Sequence, residues 1–114
     1  MARSKIPDPL SRRHLVVKDL TPAQALAIAD AYLEVDRRVE AVDFLKKAEA
    51  DDKLGELRKI AMTEGDVFLL RAVAEARRKE VPKEDWERVA ENAAARGLER
   101  YADEARRQAD RGEE

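Results

Sequence analysis

Cysteine is absent from the 114 residues, which removes disulfides, thiolate metal sites and cysteine nucleophiles in one step. Histidine occurs once, at His14, and serine twice, at Ser4 and Ser11, all within the first fifteen residues. A buried nucleophile paired with a base therefore has no material, and no enzyme is expected. Aromatic residues are 4% of the chain, too few for a stacking platform of the kind that binds single-stranded nucleic acid. The four glycines are scattered, so no phosphate-cradling loop is spelled out. No apolar run reaches the ~18 residues a membrane span requires, and residues 1–20 lack the apolar centre of a signal peptide. A cytoplasmic chain is expected, without membrane partner, cofactor or evident small-molecule substrate.

Neither sign of charge dominates. Twenty-three Lys and Arg face 25 Asp and Glu, a net charge of −2, so no global field draws the chain toward nucleic acid. Basic clusters at Arg37-Arg38, Lys46-Lys47 and Arg77-Arg78-Lys79 are interleaved with acidic residues, and several fall in last turns, where cations complement the helix dipole. The acidic pairs Asp51-Asp52 and Glu84-Asp85 begin helical segments, where the same dipole favours them, and capping is preferred over metal binding.

What is abundant is helix-forming sequence: 44% of residues are apolar and 42% charged, and Ala23, Ala25, Ala27, Ala29 and Ala31 stand in one segment. No alternating run is long enough for a strand. The fold class expected is all-α. Thr21-Pro22-Ala23-Gln24 reads as a capping box opening the first main helix, with Thr21 at the N-cap, Pro22 at N1 and Gln24 at N3. Glu64-Gly65-Asp66 reads as a joint in which Gly65 takes the left-handed conformation that closes one helix and Asp66 caps the next. Further segments run from about Val39 to Ala48, from Asp51-Asp52 to Glu64, from Asp66 to Glu80, from Lys83 to Arg96, and onward from Leu98.

The breaks at Asp36, Gly65 and Gly97 lie 29 and 32 residues apart. Aligned on them, Ala25, Leu54 and Trp86 stand at one position and Ile28, Leu57 and Val89 at a second. Tyr32, Ala61 and Ala93 form a third set. After the breaks, Ala41, Leu70 and Ala102 align, as do Phe44, Val73 and Ala105. All are apolar or aromatic, which predicts about six helices stacked as three antiparallel hairpins, a short α-solenoid. The same breaks cut the periodic segments too short for a coiled coil.

Over residues 22–48, and centred on Ala31-Tyr32-Leu33-Glu34-Val35-Asp36-Arg37-Arg38-Val39-Glu40-Ala41-Val42, the chain resembles the tetratricopeptide-repeat superfamily. A Tyr precedes the turn and an Ala opens the second helix, with Phe44-Leu45-Lys46-Lys47-Ala48 continuing the pattern. The match is looser over 49–108, Asp36 stands where the family has Gly, and the period is shorter than the usual ~34. The resemblance implies a protein-interaction scaffold with a groove lined by the first helix of each hairpin.

Three segments are expected: an extended arm at 1–20, a helical-repeat domain at 21–108 and a frayed tail at 109–114. Pro7 and Pro9 disfavour helix at the residues before them, although a short helical turn starting at Pro9 with Asp8 as its cap is an alternative. Two uses of the arm stay open: cover for the exposed edge of the first helix, or a docking segment for a partner.

The leading functional expectation is a non-catalytic adaptor that binds another protein. Its candidate contacts are Asp30, Lys59 and Glu91, six residues before each break. The second is a regulatory protein whose arm, with Arg12 and Arg13, docks on an enzyme or GTPase. A nucleic-acid-associated helical protein is the third. A homodimer is compatible with any of them, since short repeat arrays need their terminal apolar surfaces covered.

Overall fold

The computed structural model describes residues 6–111. These form seven α-helices, with no strand among the described residues: α1 Pro9–Val17, α2 Pro22–Glu34, α3 Arg38–Lys47, α4 Asp51–Glu64, α5 Val67–Arg77, α6 Lys83–Ala95 and α7 Glu99–Arg111. No described helix is long and apolar enough to cross a membrane. The all-α class is as the composition indicates, with seven helices in place of six.

The additional helix is α1, within the segment expected to be an extended arm. Its origin is local. Pro9 occupies the first helical position, where a missing N–H costs nothing, and the Asp8 carboxylate accepts from the Ser11 backbone N–H at 2.9 Å and the Ser11 hydroxyl at 3.0 Å. The prolines thus start a helix instead of preventing one. The first residues of the expected arm, 1–5, lie outside the described set.

The other end also departs from expectation. Helix α7 continues through Arg111, because Ala105 and Ala109 extend a narrow buried stripe at helical spacing even after the larger apolar residues have run out. Of the expected frayed tail, residues 112–114 lie outside the described set.

Helix termini follow a common rule. In each of the three anticipated breaks one residue takes positive φ, at Asp36, Gly65 and Gly97, and the next residue donates its backbone N–H to a carbonyl five positions back. Those bonds, Arg37 to Tyr32, Asp66 to Ala61 and Leu98 to Ala93, all measure 2.9 Å. This is the Schellman closure, which satisfies carbonyls the helix leaves open. Glu49 and Arg78 make the same closure without glycine, with Ala50 bonding Leu45 and Lys79 bonding Ala74. Because Arg78 turns left-handed, α5 stops at Arg77, short of the expected Glu80. The starts are as read from sequence where a cap was spelled out. Thr21 and Gln24 form both halves of the capping box, and Asp66 accepts from the Leu69 N–H at 3.0 Å.

The chain divides into two compact units, Met1–Leu54 and Gly55–Glu114, with the division falling inside α4. In the first unit α2 and α3 pack as a hairpin around Tyr32, Phe44, Leu45 and small alanines. The Tyr32 and Phe44 rings stack with centroids 5.8 Å apart. In the second unit α6 and α7 form the closest pair, and α5 packs on both. Leu57, Leu69, Leu70, Val73, Trp86 and Val89 are buried there. Two polar links join α4 to α6: Arg58 pairs with Asp85, and the Asn92 amide donates to the Met62 carbonyl.

Of the fifteen positions aligned on the three breaks, all but Ile28 are buried. A tetratricopeptide-like repeat is nevertheless not shown by these helices. Phe68 and Tyr101 lie at the edge of the second unit. Phe68 is 45% exposed and meets Tyr101 edge to face at 5.1 Å, and Leu98 is exposed beside α7.

Candidate functional site

Helix α1 buries none of its own residues, yet it is held at both ends. Near its start the Arg12 Nη2 donates to the Glu40 carbonyl at 3.0 Å and to Asp43 Oδ2 at 3.1 Å, both on α3. Past its end the Lys47 ammonium, also on α3, donates to the Lys18 carbonyl at 2.9 Å. A helix fastened by polar contacts at its ends, without an apolar face pressed into the core, leaves space beside it. That space is a cleft of about 480 Å³.

One wall of the cleft comes from α1, through Arg12, Arg13, Val16 and Val17. The opposite side is Tyr32 from α2, Arg37 from the α2–α3 turn and Glu40 from α3. The left-handed turn at Asp36 ends α2 so that Arg37 stands above the Tyr32 ring, 5.7 Å from its centroid. Arg12 lies 5.6 Å from the same ring and 5.6 Å from Phe44. The guanidiniums thus gain cation–π contact with aromatic residues whose own burial fixes them. Arg37 also binds Glu40 through two 2.6 Å hydrogen bonds, from Nε to Oε1 and from Nη2 to Oε2.

Two polar atoms in this arrangement are buried and unpartnered. Tyr32 is fully buried and its hydroxyl makes no hydrogen bond. Arg12 Nε also has none; Glu40 Oε2 is 4.0 Å away. Burial raises the Tyr32 pKa above its ordinary 10.0; the nearby Arg12 charge opposes part of that rise, and the Arg12 side chain also acts on the hydroxyl as a weak donor although its geometry falls short of a hydrogen bond. The phenol is consequently a neutral hydrogen-bonding group at physiological pH. Arg13 is exposed and has no carboxylate partner among the described residues. Val17 beside it is 78% exposed.

The structure therefore brings Arg12 and Arg13 of the candidate set into one site and leaves the rest elsewhere. Asp30 forms a 2.9 Å ion pair with Lys53. Lys59 is an exposed residue of α4 and Glu91 an exposed residue of α6. His14 is exposed on α1, and the Ser11 hydroxyl is spent on the Asp8 cap; Ser4 lies outside the described residues. The acidic pairs stand in the first turns of α4 and α6, and Asp85 additionally holds Arg58. No group of metal-binding residues occurs among the described residues.

Sequence reading missed Tyr32, Arg37 and Glu40 as parts of a site. Tyr32 was legible as a core residue, and the Arg37/Glu40 spacing of three signals a helix-surface ion pair. Neither signal reveals that α1 stands over them. Comparison of the chain with protein-family models, with curated proteins and with solved structures finds no match.

Proposed function

We propose that this chain is a non-catalytic interaction module of the cytoplasm that binds a partner protein through the cleft between α1 and the α2–α3 hairpin. The observation that carries this reading is unspent binding capacity concentrated in one place. Among the described residues Arg13 has no partner, the Tyr32 hydroxyl and Arg12 Nε are unsatisfied, and Val17 is largely bare, all around a single concavity. Buried polar atoms are normally satisfied, so two orphans beside one cleft favour a site completed by a ligand. The resemblance of residues 22–48 to tetratricopeptide repeats supports the same class of use. The cleft is preferred to the Asp30, Lys59 and Glu91 positions because Asp30 already has Lys53.

Affinity capture from native lysate tests this reading with three baits: the wild-type chain, Arg13→Glu, and a triple variant with alanine at 30, 59 and 91. A partner retained by the wild type and the triple variant and lost by Arg13→Glu is expected. Recovery of the same partners by all three contradicts the cleft assignment.

A further inference from the structure

We infer that the cleft of the first unit receives a carboxylate from an acidic, leucine-bearing or similarly apolar segment of the partner protein. The inference rests on the interaction reading above and adds the chemistry of what is bound.

Charge states the first half of the case. Three arginines line the cleft against one carboxylate, Glu40. Arg37 commits Nε and one Nη2 hydrogen to Glu40, and Arg12 commits Nη2 to α3. Each guanidinium has five N–H donors, so both keep donors in reserve, and Arg13 spends none of its own on the described residues. A planar carboxylate matches the fork of a guanidinium and takes two hydrogen bonds from it. The Tyr32 hydroxyl, fully buried and without a partner, supplies a neutral donor in the same lining.

The remaining lining decides the kind of anion. Pro7, Pro9, Val16 and Val17 give the cleft an apolar share that a free phosphate ion has no use for. Glu40 within the lining disfavours a doubly charged group more than a singly charged one. Nucleic acid is disfavoured separately, since the Tyr32 ring is covered by Arg12 and Arg37 and offers no face to a base. A protein segment that places Asp or Glu beside an apolar residue satisfies both halves of the surface.

The test is an amide chemical-shift titration of the full chain, carried to millimolar ligand. The ligands are a short peptide alternating leucine and glutamate, its leucine–glutamine counterpart, and inorganic phosphate. The glutamate peptide is expected to shift amides of residues 9–17, Tyr32 and 37–40, with the glutamine peptide about tenfold weaker, as befits loss of charge-assisted hydrogen bonds. Arg13→Glu, at an exposed position without a partner among the described residues, is expected to weaken the glutamate peptide about tenfold or more, and Arg13→Gln less. Tyr32→Phe is expected to weaken it roughly threefold with an unchanged shift pattern elsewhere.

Equal binding of the two peptides overturns the carboxylate assignment while leaving the interaction reading intact. Phosphate binding with silent peptides makes the cleft a small-anion site and overturns it as well. Absence of any shift at the cleft overturns it too, and the lysate capture then decides the interaction reading on its own.

Discussion

The Arg12 guanidinium lies 5.6 Å from the centroid of the Tyr32 ring, joining a helix with no buried residues to the most deeply buried aromatic pair of its unit. Arg12 is thereby both a wall of the cleft and the main fastening of α1. Its side chain is only 24% exposed and bonds a backbone carbonyl and a carboxylate of α3. Replacing it with leucine keeps much of the volume and removes those bonds. Arg12→Leu is expected to destabilise the first unit by about 1–3 kcal/mol. Urea unfolding measures the loss. Hydrogen exchange across residues 9–17 is expected to quicken before the rest of the unit does.

Tyr32→Phe removes a hydroxyl that has no hydrogen-bond partner among the described residues. The phenyl ring keeps its stacking on Phe44. Stability at about pH 8 is expected to be unchanged or raised by up to about 1 kcal/mol, because an unsatisfied buried group is deleted.

The same residue makes a pH prediction. Burial holds the folded Tyr32 pKa above 10.0, so the folded state keeps its proton where the unfolded state releases it. That contribution is fully present below pH 10 and is lost as pH rises through the raised folded value. Wild type is therefore expected to lose stability above about pH 10 more steeply than Tyr32→Phe. Denaturation midpoints taken in parallel for the two proteins check the difference.

Gly65 and Gly97 share a left-handed conformation but not an environment. A Cβ on Gly65 would collide with the Ala93 backbone nitrogen, whereas one on Gly97 would meet nothing within 4 Å among the described residues. Gly97→Ala is expected to cost only the backbone penalty, about 1 kcal/mol. Gly65→Ala adds a collision with the backbone of α6 and is expected to cost about 2–5 kcal/mol. Thermal unfolding of the two variants separates backbone strain from close packing, and equal losses would show that the packing is looser than described.

The Asp8 carboxylate is held below its ordinary 3.8 chiefly by the Ser11 N–H, with further help from the Ser11 hydroxyl. A depressed folded pKa stabilises above the unfolded value and the benefit is lost as pH falls through the folded one. Acidification below about pH 4 is expected to loosen α1 through its cap, and Asp8→Ala is expected to loosen it at neutral pH. Amide exchange at residues 9–17 reports both.

Much of the helical framework was legible wherever a cap or breaker names a backbone need. Thr21, Pro22 and Gln24 spell one helix start, and Gly65 with Asp66 spells a stop and a start. The left-handed stops at Glu49 and Arg78 carry no such label, since long side chains enter that conformation only when the surrounding packing imposes it. Helix α1 was half visible, because Pro9 and Asp8 form a start signal while Pro7 and Pro9 disfavour helix at the residues before them. The segment from 109 onward reads as a frayed tail, yet Ala109 continues the buried stripe of Ala102 and Ala105, because alanine is what a close helix approach requires. The cleft was the least legible feature. Arg12 and Arg13 were named from their place on the arm, but the Arg12 bonds to α3 span 28 and 31 residues, a separation at which local pattern carries no information.

The most direct measurement of the central claim is site-specific photo-crosslinking in native lysate, with the reactive group at position 17 on the cleft wall or at position 59 on α4. A discrete protein adduct from position 17, competed away by unlabelled wild-type chain and not by Arg13→Glu, is the result expected of a cleft that binds a partner protein. No adduct from position 17, with a competed adduct from position 59, would contradict it.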